Sequence, residues 1–306
     1  MIAHGAPVEH GLLVVIGVVA LVAYGQAWVR QPRATRIRLL AWAGAVVATL
    51  LATMPAMERA AERTFTGHMA QHLAMIVIAA PLFVVARPVR TLRHHPWLAR
   101  TVAPGGRAAT TERRVGRWWR RNGTIAAPLL FLIALYLTHL TDVYEWALDH
   151  RAVHDLEHVA YLGTAIALWS VVTGTGRRTV DRSGTGIVRT GAARVGTALG
   201  VIAGMAVLGL VLMSASEPLV PTYVEALGRD EALTDQRWAA SFMWVGGMGM
   251  TLPLLVASVW MWASAEERRV RHREAILDAG APAAHRRGPR PDELSDLSSA
   301  LVREPD

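Results

Sequence analysis

The sequence predicts an all-α, polytopic membrane protein of seven transmembrane helices, N-terminus outside and C-terminus cytoplasmic. Two patterns predict this: long uncharged apolar runs, and an alternating charge in the links between them. A third pattern, histidines gathered at one end of the runs, indicates where the chemistry lies.

A helix needs about 20 apolar residues to cross ~30 Å of hydrocarbon. Seven runs approach or exceed that length: Gly11–Val29, Leu39–Met57, Thr64–Ala86, Gly123–Leu140, His158–Gly176, Val195–Ser216 and Trp238–Ala265. None contains Asp, Glu or Arg. The overall hydrophobic share, 52%, is only suggestive beside this arrangement. Met1–His10 has no basic segment and no small-residue cleavage site, so the first run is expected to be a retained span.

The links set the orientation, because short Arg-rich loops stay cytoplasmic. The first link holds Arg30, Arg33, Arg36 and Arg38, and the third, from Arg87 to Arg121, holds ten Arg and one Glu. The fifth holds Arg177, Arg178, Arg182, Arg189 and Arg194 against Asp181, and Arg268, Arg269, Arg271 and Arg273 follow the last span. The even links carry Glu58 and Glu62 with Arg59 and Arg63; Asp142, Glu145, Asp149, Asp155 and Glu157 with Arg151; and Glu217, Glu225, Asp230, Glu231 and Asp235 against Arg229 and Arg237. The net charge of +8 is therefore read as topology and lipid-headgroup contact, not nucleic-acid binding. Trp28, Trp169, Trp260 and Trp262 are expected at inner interfaces, and Trp146 and Trp238 at outer ones. Arg113–Arg121 is expected to form a short interfacial helix. Residues 1–275 are read as the membrane domain. Residues 276–306, rich in Pro, Arg, Asp and Ser from Ala279 onward, are read as a disordered cytoplasmic tail.

Of the twelve histidines, eight fall outside or in the outer leaflet: His4, His10, His68, His72, His139, His150, His154 and His158. His68 and His72 open the third span, His139 closes the fourth, and His154 and His158 open the fifth. Helical residues four apart share a face, with Cβ atoms about 5–6 Å apart. His68/His72 and His154/His158 thus form two paired-ligand faces at one depth. A lone boundary histidine is ordinarily just polar trim. Two such pairs at one level go further, since an imidazole in hydrocarbon is costly unless it faces protein, water or metal.

With no cysteine in the chain, a metal must be held by nitrogen, oxygen or thioether. Met54, Met57, Met69, Met213 and Met243 fall near the same level. Imidazole with thioether suits Cu(I) better than Mg or Ca, although methionine is also a common core filler, the expected role of Met75, Met205 and Met261. Candidate ligands are His68, His72, His139, His154, His158, Met69, Met213 and Met243, with Asp155, Glu157 and Asp235 as second-layer acceptors that orient imidazoles.

Certain segments resemble a known family. His68-Met-Ala-Gln-His72, with the following Pro81-Leu-Phe and Arg87-Pro88, is similar to the histidine motif of the CtaG-type integral-membrane cytochrome c oxidase assembly factors. His139-Leu-Thr through Tyr144 and His154-Asp-Leu-Glu-His158 resemble that family's second histidine region, with Thr141 where a proline is expected. Ser216-Glu-Pro-Leu-Val-Pro-Thr-Tyr223, Asp235-Gln236 and Met243-Trp244 resemble its later motifs. The resemblance implies a non-enzymatic, multi-pass protein of the bacterial plasma membrane. It further implies that the protein helps copper, expected as Cu(I), reach haem-copper oxidase subunits on the outer side. A homo-oligomer is left open. Three other readings remain at this stage: a b-type haem redox subunit, since paired helices can clamp iron axially; a copper or proton transporter, for which polar mid-span residues are scarce; and a metal-free scaffold.

Overall fold

The computed structural model describes residues 6–31, 35–95, 107–174 and 185–280. The described residues are helical, without a strand. The helices are α1 (Ala6–Val29), α2 (Arg36–Ala52), α3 (Pro55–Arg63), α4 (Phe65–Leu73), α5 (Ala80–Ala86), α6 (Pro88–Leu92), α7 (Arg107–His139), α8 (Val143–Asp149), α9 (Arg151–Val172), α10 (Thr185–Ser214), α11 (Pro221–Leu227) and α12 (Arg229–Gly280). A π-helical turn, Ala74–Ala79, joins α4 to α5.

Among the described residues, four helical stretches are long and apolar enough to cross a membrane: His10–Val29, Phe65–Leu92, Arg121–His139 and Gly191–Ser214. The pair α2 and α3, bent by 48°, would add a fifth if it is one span. The apolar faces of these helices are largely uncovered. Val15, Ile16 and Val19 on α1, and Ile125, Leu129 and Ile133 on α7, are more than half exposed. Water penalises such a belt, and lipid does not. The α9 and α12 helices lie where the fifth and seventh runs were predicted, and Leu156, Val159 and Val245 are exposed on them.

Two apolar clusters hold the helices together. One joins α1, α2 and α5: Tyr24 stacks on Trp42 at 4.7 Å, Trp42 donates to the Ala20 carbonyl, and Tyr24 donates to the Ala86 carbonyl at 2.7 Å. The larger cluster runs from Phe65 through Phe131, Tyr161 and Leu208 to Met243, joining α4, α7, α9, α10 and α12. Met75 and Met205 are buried as predicted for core fillers.

Local chemistry places the breaks. Pro55 begins α3, where its missing N–H costs nothing. Thr64 ends α3 in extended geometry and caps α4, its hydroxyl accepting from Gly67 N at 3.0 Å. The π-turn frees a carbonyl, and Trp169 on α9 donates to Ile76 O at 2.8 Å. Trp169 is therefore a buried strut, not the interfacial residue the sequence suggests, whereas Trp146, Trp238 and Trp260 are exposed. Arg87, at φ 52°, ends α5 in the left-handed region because Pro88 disfavours the right-handed helix before it.

Arg113–Arg121 also departs from expectation. It lies inside α7, continuous with the fourth run, and is not a separate helix. No proline interrupts the chain between Arg113 and Ile125, and Gly116 and Gly123 weaken the helix without ending it. His4, His285, Arg177, Arg178, Arg182 and the tail beyond Gly280 lie outside the described residues.

Candidate metal centre

The predicted histidine pairs face one another. His68 and His72 on α4 have ring centroids 4.4 Å apart, and His154 and His158 on α9 are 4.2 Å apart. Across the two helices, His68 lies 5.3 Å from His154, and His72 lies 5.5 Å from His158. All four are buried, and His68 has no exposed surface.

Glu157 stands among these rings. Its carboxylate oxygens lie 3.7 Å from His68 Nε2 and 4.0 Å from His72 Nδ1. Donor atoms of His68, His72, His154 and Glu157 all lie within 4.8 Å of one another, a distance at which one ion can gather them. A second set, Glu58, His154 and His158, meets the same limit. Glu157, which the sequence reading places as an acceptor behind an imidazole, stands among the rings, within reach of the same point as their nitrogens.

The buried polar atoms here are poorly satisfied. His68 Nε2, both ring nitrogens of His72, His158 Nε2, Gln71 Oε1 and both Glu157 oxygens lack a hydrogen-bond partner. Burying a polar atom unpaired costs roughly 1–3 kcal/mol, and native proteins carry only a few such atoms per 100 residues. Their gathering in one place, with lone pairs and a carboxylate converging, is the chemistry of a cation-binding shell. Imidazole nitrogen suits copper, zinc, iron or nickel.

The surrounding helices fix α4 and α9. Asp235 on α12 accepts from the backbone of Phe65 and Thr66 at the start of α4, and the Thr66 hydroxyl donates to Asp235 O. Its role is thus to cap and seat the histidine helix; it makes no contact with an imidazole. Gln236, beside it, accepts from Leu219 N and donates to Leu212 O. Glu145 accepts from both Thr222 N and its hydroxyl, tying α8 to α11. Tyr223 donates to Ala61 O at 2.7 Å, and its hydroxyl lies 3.5 Å from His68 Nδ1. Tyr144 and Tyr161 pack against His68 and His72 at 4.8 and 4.5 Å.

The remaining candidates fall elsewhere. His139 sits one layer aside: its Nδ1 meets Leu135 O at 2.8 Å, and its Nε2 meets Met69 Sδ at 3.1 Å. The Leu135 carbonyl can only accept, so Nδ1 of a neutral ring donates to it and Nε2 turns its lone pair toward the Met69 sulfur. Met243 is buried in the main apolar cluster, and Met213 packs against it. Asp155 is exposed and pairs with Arg151 at 3.6 Å. His10 contacts the Thr53 carbonyl at 3.2 Å, and His150 contacts Trp146 O in its own turn.

Two residues were missed. Glu58 is buried, with Oε1 accepting from Gln71 at 3.0 Å and Oε2 3.6 Å from His154 Nδ1. Gln71 also donates to Ala52 O. The sequence signal for Gln71 was an amide inside an apolar run, between two histidines.

Comparison with known proteins agrees with this architecture. The model of the cytochrome c oxidase caa3 assembly factor family matches residues 18–265, and so spans both histidine helices and their supports. The chain belongs to that family. Uncharacterized proteins of Mycobacterium bovis and Mycobacterium tuberculosis are each 25% identical to it over 251 residues, 78% of this chain. That region is 35% of each relative, so the chain spans about a third of the length of the curated relatives it matches. No solved structure matches the chain.

Proposed function

We propose that this chain is a seven-span, multi-pass protein of the bacterial plasma membrane, N-terminus outside. In this reading it takes copper as cargo at its buried histidine cluster and passes it to haem-copper oxidase subunits during oxidase assembly. The observation that carries the reading is the convergence of His68, His72, His154 and Glu157 with unpartnered donor atoms, inside a member of an oxidase assembly family.

The donor set refines the cargo. The sequence pattern favours Cu(I) through thioethers, yet Met243 lies in the apolar core, Met213 packs against that core, and Met69 lies against His139. Three imidazoles and a carboxylate accommodate copper in either oxidation state. One carboxylate among neutral imidazoles offsets part of the ion's charge, which matters where water is scarce. The role is non-catalytic: the site binds and releases, and no nucleophile with an adjacent base is proposed.

A b-type haem suits this geometry less well. Four imidazoles with centroids 4.2–5.5 Å apart across and along two helices leave no slot for a macrocycle between them. The test is copper analysis of the purified protein and of a His72→Ala, His158→Ala double variant. Wild-type protein carrying copper that the variant lacks supports the site; equal copper in both refutes it.

A further inference from the structure

We propose that the cluster is a two-position relay, in which an ion passes between a deep position (His68, His72, His154, Glu157) and an outer position (Glu58, His154, His158) by pivoting on His154. This rests on the reading that the chain handles copper.

Three observations carry it. Each donor set closes within 4.8 Å, and His154 belongs to both. Its ring stands between the others, 5.3 Å from His68 and 4.2 Å from His158, with Nδ1 turned to Glu58. Second, the outer position has its own buried, unpartnered donor, His158 Nε2, which the deep set does not use. Third, exposure rises along one direction. The His68 side chain is 0% exposed and Glu58 6%, while Arg151, 3.8 Å from Glu58, is 31% exposed and Asp155 56%. The outer position therefore lies on the way from the deep position to the rim.

Physical need supplies the reason. Stripping an ion of all its ligands in a low-dielectric interior is prohibitively costly. A neighbouring donor set sharing one ligand lets the ion leave part-coordinated. Bonds to His68, His72 and Glu157 break as bonds to Glu58 and His158 form; no electron moves and the ion keeps its oxidation state. Gln71 steadies Glu58 by donating to Oε1, leaving Oε2 toward His154 and Arg151. Arg151 Nε also reaches Asp155 at 3.6 Å, so its guanidinium can lean to Asp155 when a cation takes Glu58.

The test is the rate at which full-length protein in lipid nanodiscs, loaded with one equivalent of Cu(I), releases it to a Cu(I)-specific chromophoric chelator. Glu58→Gln, which keeps the Gln71 contact, is expected to release more slowly by about tenfold. A simple ligand of a single site would have the opposite effect, because losing a donor speeds release. His158→Gln should slow release likewise and carries the test if the first variant does not fold. Release at or above the wild-type rate in these variants overturns the relay and leaves the copper reading standing. Wild-type protein that takes up no copper overturns both.

Discussion

Glu157 lies 3.7 Å from His68 across the α4–α9 interface, with both of its oxygens buried and unpartnered. A carboxylate so placed either holds a proton or faces a positive partner. In the copper reading, the cargo ion is that partner among the four imidazoles.

Glu157→Gln should therefore preserve the helix and its packing but weaken copper binding by about 10–100-fold. Competition against a chelator of known affinity measures this. Unchanged affinity would place the carboxylate outside the binding shell.

His139 is predicted to act on stability and not on binding. Its Nδ1 already donates to Leu135 O, and it belongs to neither gathered donor set. His139→Gln should cost about 1 kcal/mol of stability while copper per chain stays at the wild-type value. Thermal melting and metal analysis of the same sample check both halves.

The α3–α4 corner is predicted to be intolerant of any added side chain. A Cβ at Gly67 would collide with the Ala60 carbonyl. Neither partner is a flexible tip, so Gly67→Ala must shift α4 and its histidines. Overpacking of this kind costs roughly 1–3 kcal/mol. The variant should show both a lower melting temperature and reduced copper uptake.

Asp235 seats the same helix from the other side. Asp235→Ala removes the acceptor for Phe65 and Thr66 N–H and should cost about 1–2 kcal/mol, with weaker copper binding as a consequence. Asp235→Asn, which keeps an acceptor oxygen, should recover most of the loss. Full copper affinity in the destabilised alanine variant would uncouple this cap from the site.

Orientation can be tested because the chain has no cysteine. Cysteine placed at exposed Glu62 should react with an impermeant maleimide added outside intact cells. Cysteine at exposed Arg121 should react only after lysis. The reverse pattern would invert the proposed topology.

Much of this architecture is legible in the sequence because apolar run length and helical spacing are local properties. The four-residue separations of His68/His72 and His154/His158 suffice to put each pair on one face, and the charge alternation puts both pairs at one depth. What is not legible depends on how chain segments bend and meet. Glu58 reads as an ordinary loop charge; the 48° bend between α2 and α3 turns it inward onto Gln71 and His154. Asp235 is close to the site as expected, but its register on α12 aims it at backbone N–H groups. The π-turn at Ala74–Ala79 leaves no compositional trace, yet it creates the carbonyl that buries Trp169. Met213 and Met243 read as near the histidine level, but side-chain direction, which run position does not specify, sends Met243 into the apolar core and Met213 against it.

Anomalous scattering at the copper edge from copper-loaded crystals tests the proposed site most directly. A peak among His68, His72, His154 and Glu157, with or without a weaker one beside Glu58 and His158, is the predicted result. A loaded protein whose peak lies away from these side chains, or that shows none, would contradict it.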